Sequence, residues 1–100
     1  MILILATEFN IGVCQLELLK LNLNINHIDN EGCKYLAEAL KENVSLQRLC
    51  LSGNKFGDQG WKELAEAMKE NATLQVIVCY GKVPGEVLES LKRNKEIAAR

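Results

Sequence analysis

Nothing in this chain of 100 residues approaches the ~20 consecutive apolar residues of a membrane-spanning helix. The apolar opening, Met1–Ala6, is too short for a secretory leader and lacks the basic residues that precede one. Net charge is −1, with 12 Lys and Arg against 13 Asp and Glu, so the clustered cations that phosphate binding needs are missing. Neither nucleic acid nor a membrane is therefore expected as a partner. Histidine occurs once, at His27, and no C-x-x-C spacing is present, so no metal and no cofactor are expected. His27 stands two residues before Asp29, but no nucleophile recurs near the pair, and both read as polar loop residues. Gly53, Gly57 and Gly60 are not spaced to cradle a phosphate. Catalytic residues are not expected, and the chain does not read as an enzyme.

What the chain does have is a copy of itself. Residues 18–45 read LLKLNLNINHIDNEGCKYLAEALKENVS, and residues 46–73 read LQRLCLSGNKFGDQGWKELAEAMKENAT. Each copy opens L-x-x-L-x-L-x-x-N: Leu18, Leu21, Leu23 and Asn26, then Leu46, Leu49, Leu51 and Asn54. The period-2 alternation suits a strand with one buried face. A loop follows, then a helical pattern: Gly32, Leu36, Ala37, Ala39 and Leu40, recurring as Gly60, Leu64, Ala65, Ala67 and Met68. Spacings of three and four gather these residues on one stripe, where Ala and Gly allow close approach. Asn30 and Asp58 fall at N-cap positions. Asn43 and Asn71 fall just past the helices, where a left-handed residue is expected. Strands are predicted near 20–23, 48–51 and 76–79, and helices near 31–42, 59–70 and 85–93.

The pair LxxLxLxxN and GxxxLAxAL resembles the ribonuclease-inhibitor type of leucine-rich repeat, over about residues 16–82. The resemblance implies an α/β solenoid, a horseshoe segment with parallel strands on the concave side and helices on the convex side. It also implies that Asn26 and Asn54 turn inward and bond neighbouring backbone as a structural ladder, which agrees with the need of a buried amide for partners. A repeat buries its apolar face against its neighbours, so the fold is quasi-one-dimensional. One domain over 1–100 is expected: a degenerate N-terminal part at 1–17, repeats at 18–45 and 46–73, and a capping repeat at 74–100. The third unit starts with Leu74, Ile77 and Cys79, then carries Lys82 in place of Asn and breaks register at Pro84-Gly85. At least three repeats usually make a stable stack, so the chain is expected to be the C-terminal part of an array, similar to that of nucleotide-binding leucine-rich-repeat receptors.

The register also distributes the four cysteines. Cys50 points outward between Leu49 and Leu51, whereas Cys79 takes Leu51's column and points into the core, so the two face apart and cannot bridge. Cys33 falls in a helix and Cys14 ahead of the first strand. Four free thiols imply a reducing compartment, and a cytoplasmic location is expected. The sequons at Asn43 and Asn71 share a repeat column and need no glycan to explain them. Trp61, in the column of Cys33, reads as a partly buried filler between helices.

Binding is what remains. Residues flanking the buried strand positions project from the concave sheet: Lys20, Asn22 and Asn24; Arg48, Cys50 and Ser52; Val76, Val78 and Tyr80. They grade from basic to apolar and end in one aromatic, residue types that anchor interfaces. The resemblance implies a protein–protein interaction module, or the ligand-sensing end of a receptor or scaffold, with another protein as partner. Further repeats of the chain, or self-association, would occupy the N-terminal edge. The alternative is a regulator of a small GTPase or of actin filament ends, as in other branches of the family. The resemblance implies an acidic tail for the first and an N-terminal extension for the second, and the stretch KRNKEIAAR does not read as such a tail.

Overall fold

A computed structural model describes residues 19–100 of the chain. The expectations for residues 1–17, for Leu18 and for Cys14 lie outside the described residues. Within them the order is β1 (Lys20–Asn22), α1 (Asn30–Glu42), β2 (Arg48–Cys50), α2 (Asp58–Met68), β3 (Val76–Val78) and α3 (Gly85–Ala98). The strands form one parallel sheet in sequence order. Its register is the repeat itself: Leu21 pairs with Leu49, and Leu49 with Ile77. Backbone bonds recur in step: Leu23 N–H donates to Cys50 O at 2.8 Å, and Leu51 N–H to Val78 O at 2.7 Å.

Helices cover one face of this sheet, and the core lies between the two layers. Leu46, Leu49, Leu51, Leu64, Met68 and Leu74 are fully enclosed there, with Leu23, Leu36, Leu40, Val87 and Leu91 close behind. Each such side chain contributes about 1.5–3 kcal/mol through burial. The helices approach closely because the stripe is built of small residues. A Cβ on Gly60 would stand 2.7 Å from Phe56 Cβ and 3.0 Å from Asn30 Oδ1, which leaves no room for a larger residue.

Helix starts differ from the sequence expectation. Asp29, not Asn30, caps α1, with its Oδ1 accepting the Gly32 N–H at 2.8 Å. Asp58 does not cap α2, whose N-cap is Gly57 and has no side-chain bond of its own. Instead Asn30 reaches across the repeat, and its Oδ1 accepts the N–H groups of Gly57 at 2.8 Å and Gly60 at 2.9 Å. One repeat thus supplies the cap of the next, satisfying donors that the helix start leaves open.

Two asparagine ladders run through the stack. In the first, Asn54 Oδ1 accepts from the N–H groups of Asn26 and Ile28, each at 3.0 Å. Its Nδ2 donates to Leu23 O at 2.8 Å and Leu51 O at 3.0 Å, so one amide ties two turns with four bonds. Asn26 Nδ2 donates to Asn24 O at 3.0 Å. Asn54→Ala leaves these groups unpaired and is expected to cost about 1–3 kcal/mol in a thermal or urea melt. An unchanged melt would show that water satisfies the turn without it.

The second ladder corrects the reading of Asn43 and Asn71. Asn43 is not left-handed, for its φ and ψ are −75 and 133. It is buried because its side chain works: Oδ1 accepts from the N–H groups of Ser45 at 3.1 Å and Leu46 at 2.7 Å. Asn71 does the same for Thr73 and Leu74, and its Nδ2 donates to Leu40 O at 2.8 Å and Asn43 O at 3.2 Å. Asn94, inside α3, completes the series by donating to Asn71 O at 3.0 Å and Leu74 O at 2.8 Å. Arg93 beside it donates to Met68 O at 2.8 Å and Asn71 O at 2.7 Å, closing the end of α2. At the other end, Asn43 Nδ2 is buried and has no hydrogen-bond partner among the described residues.

Candidate functional site

The sheet has one face under the helices and one face turned away from them, and the second is the candidate site. Alternation along three short strands decides what it presents. Lys20 and Arg48 are exposed and are register partners, so two cations stand on adjacent strands roughly 4.8 Å apart. Among the described residues no carboxylate forms an ion pair with either cation. Val76 continues the row, half-buried, opposite Arg48. The next row is Asn22, Cys50 and Val78, exposed at the first and half-buried at the other two. Tyr80 stands beyond β3 with 78% of its surface exposed.

The third row does not form as expected. Ser52 is buried, not projecting: the chain turns sharply after β2 into Gly53, whose φ is 76, and Ser52 is drawn under the turn. Its N–H donates to Asn24 Oδ1 at 2.7 Å and its carbonyl accepts from Ile25 N–H at 2.8 Å. Asn24 is accordingly half-buried and engaged, and Asn22 Oδ1 accepts the Asn24 N–H at 2.9 Å. Ser52 leaves the list of surface residues, and the two asparagines hold the turn as well as facing solvent. Lys20, Arg48, Cys50, Val76 and Val78 remain in two register rows across the strands, with Tyr80 exposed beyond β3.

The cysteines sort by depth. Cys33, Cys50 and Cys79 are free thiols. Cys79 is only half-buried rather than in the core, its Sγ 4.0 Å from Gly81 O, because the chain leaves β3 at Val78 and turns at Gly81. Burial raises its pKa. Cys33 is fully enclosed, and burial, then the Asp29 and Glu63 carboxylates, push its thiol up to about 12 from 9.0. The unfolded chain releases this proton near 9.0 while the folded chain keeps it to about 12. Stability from this group is therefore complete below 9.0 and falls as pH rises through that window. Melting temperatures of Cys33→Ala are expected to fall less steeply across this range than those of the parent. Parallel curves would show that Cys33 titrates normally.

Elsewhere the described residues offer little chemistry. No group of three His, Cys, Asp or Glu among them could hold a metal ion. Asp29 is committed to its helix cap and does not orient His27. Trp61 is half-buried and meets Phe56 edge-on at 5.1 Å, a helix–loop contact that the repeat register alone did not reveal. No helix among the described residues is long and apolar enough to cross a membrane.

Comparison with known proteins agrees with this architecture. A leucine-rich-repeat family model matches residues 18–37 and 42–65. No curated protein matches the chain significantly. Among solved structures, the leiomodin-1 actin-binding site 2 is similar at a TM-score of 0.53 and 18% identity, covering 95% of this chain and 75% of that one. The C-terminal domain of tropomodulin from Caenorhabditis elegans gives a TM-score of 0.38 at 15% identity, covering 92% of this chain and 95% of that one. The matched stretches, the parallel register and the paired asparagine turns converge on the leucine-rich-repeat pattern, which the chain carries over residues 18–37 and 42–65.

Proposed function

We propose that the chain is a non-catalytic protein-interaction module, a single domain of two full repeats and a capping one, working in the cytoplasm. The open sheet face is its concave, partner-binding side in a horseshoe segment. One observation carries this reading. The face holds two adjacent cations that have no counter-ion among the described residues, next to half-buried valines and an exposed tyrosine. Cations and aromatics beside apolar surface are the residues that carry binding energy when a partner excludes water. The outer face of α1 is instead a mixed-charge surface, with Lys34 and Glu38 exposed four residues apart, which solvates a helix without specifying a partner.

Likeness to an actin-binding site of leiomodin-1 makes actin the first partner to try. Co-sedimentation with filaments, and pull-down from cell extract, would use the parent chain, Arg48→Glu and Tyr80→Ala, with Lys34→Glu and Glu38→Lys as helix-side controls. Arg48→Glu and Tyr80→Ala are each expected to weaken binding about ten-fold or more without shifting the melt. If the helix-side controls abolish binding and the sheet variants do not, the site is on the other face.

A further inference from the structure

The net charge of −1 conceals a separation of charge by element. The strands and the turns that leave them, residues 19–28, 47–57 and 75–84, hold Lys20, Arg48, Lys55 and Lys82 and not one Asp or Glu. The helices with their flanks, residues 29–46, 58–74 and 85–100, hold eight Lys or Arg against eleven Asp or Glu. All four cations of the strand side are exposed, and none has an ion-pair partner among the described residues. Lys20 and Arg48 are register partners on β1 and β2, while Lys55 and Lys82 stand on the turns after β2 and β3.

Like charges gathered on one side repel one another, and a partner of opposite sign relieves that repulsion. The helices offer no such preference, because cations and carboxylates alternate along them, as at Lys34 and Glu38 on α1 or Lys69 and Glu66 on α2. The strand side therefore selects by sign. Its other residues narrow the kind of anion. A nucleic acid is commonly held through about 6–10 phosphate contacts. Here four cations are set beside half-buried Val76 and Val78 and exposed Tyr80. Carboxylates interspersed with apolar side chains match that mixture better than an unbroken run of phosphates.

We propose that the occupant of the sheet face is an acidic, partly apolar segment of a partner protein, an inference that rests on the sheet being the binding side. Carboxylates of that segment meet Lys20 and Arg48, and its apolar side chains cover Val76, Val78 and Tyr80. Lys55 and Lys82 add to the attraction that steers the segment toward the sheet. Such steering is screened by salt, over a length of about 8 Å at physiological ionic strength.

The full chain, labelled with nitrogen-15, is titrated with a blocked peptide of glutamate, serine and valine. Counterparts carrying glutamine or lysine in place of glutamate, and a single-stranded oligonucleotide, are titrated in parallel. The glutamate peptide is expected to shift the amides of Lys20, Arg48 and Val76 saturably and to bind about ten-fold or more tighter than the glutamine peptide. That binding should weaken about ten-fold or more between about 50 mM and about 500 mM salt. Lys20→Glu/Arg48→Glu is expected to weaken it by a similar factor, because two attractions become repulsions. Lys34→Glu/Lys92→Glu, an equal change of net charge placed on the helices, is expected to leave it unchanged. All four positions are exposed, so the melts should persist; Lys20→Gln/Arg48→Gln repeats the test if they do not. A sheet face that prefers the glutamine peptide, the lysine peptide or the oligonucleotide would overturn the acidic occupant while keeping the sheet as the binding side. Glutamate-peptide shifts confined to the helices would overturn both. No saturable shift with the glutamate peptide, or equal losses from the two charge reversals, would overturn the proposal.

Discussion

Leu49→Ala is expected to lower the unfolding free energy by about 2–5 kcal/mol. Leu49 sits at the centre of β2 with none of its surface exposed, between Leu21 on one side and Ile77 on the other. Truncation removes apolar contacts and leaves a cavity that two flanking strands and the helix layer cannot easily close. The neighbouring Arg48→Ala, exposed on the other sheet face, should change stability by no more than about 0.5 kcal/mol. The contrast between adjacent residues is the sharper reading, since a small domain has only about 5–15 kcal/mol in all. Equal losses at the two positions would mean that the strand does not alternate between core and solvent.

Asn71→Ala is expected to be nearly as damaging, on the order of 3 kcal/mol, although the residue is polar. Its side chain serves two N–H groups and two carbonyls, those of Thr73, Leu74, Leu40 and Asn43. Asn71 itself is 1% exposed, so water cannot readily replace it. Asn71→Asp is a stricter variant, retaining the acceptor while placing a carboxylate against the Leu40 and Asn43 carbonyls. Both substitutions should lower the urea midpoint, with Asp no better than Ala. Asn43→Ala should cost less, because its own Nδ2 has no partner among the described residues and only its Oδ1 bonds are lost. A smaller loss at Asn71 than at Asn43 would reverse the polarity assigned to this ladder.

The strands and helices were legible because identical columns recur: Leu21 with Leu49, Gly32 with Gly60, Ala39 with Ala67. Periodicity identified which side of each element is buried, and the elements fall within about two residues of expectation at most ends; α3 runs farther, to Ala98. Cooperation between repeats was not legible. Asn30 looked like a cap for its own helix and caps the next one, a role that depends on the distance between helices rather than on local sequence. Asn94 was hidden for a related reason. It stands 23 residues after Asn71 rather than 28 and inside a helix rather than past its end, so no repeat column marks it, yet the fold brings it to the same place. Ser52 was misjudged because alternation was carried past the end of β2, where the backbone turns at Gly53.

The fold rests on a parallel stack in which each unit repeats the last. Cross-strand nuclear Overhauser contacts test this most directly. The account predicts backbone contacts in parallel register that place Leu21 beside Leu49 and Leu49 beside Ile77, with Arg48 between Lys20 and Val76. Antiparallel contacts, or a register displaced by one residue that turns Leu49 outward and Arg48 inward, would contradict it.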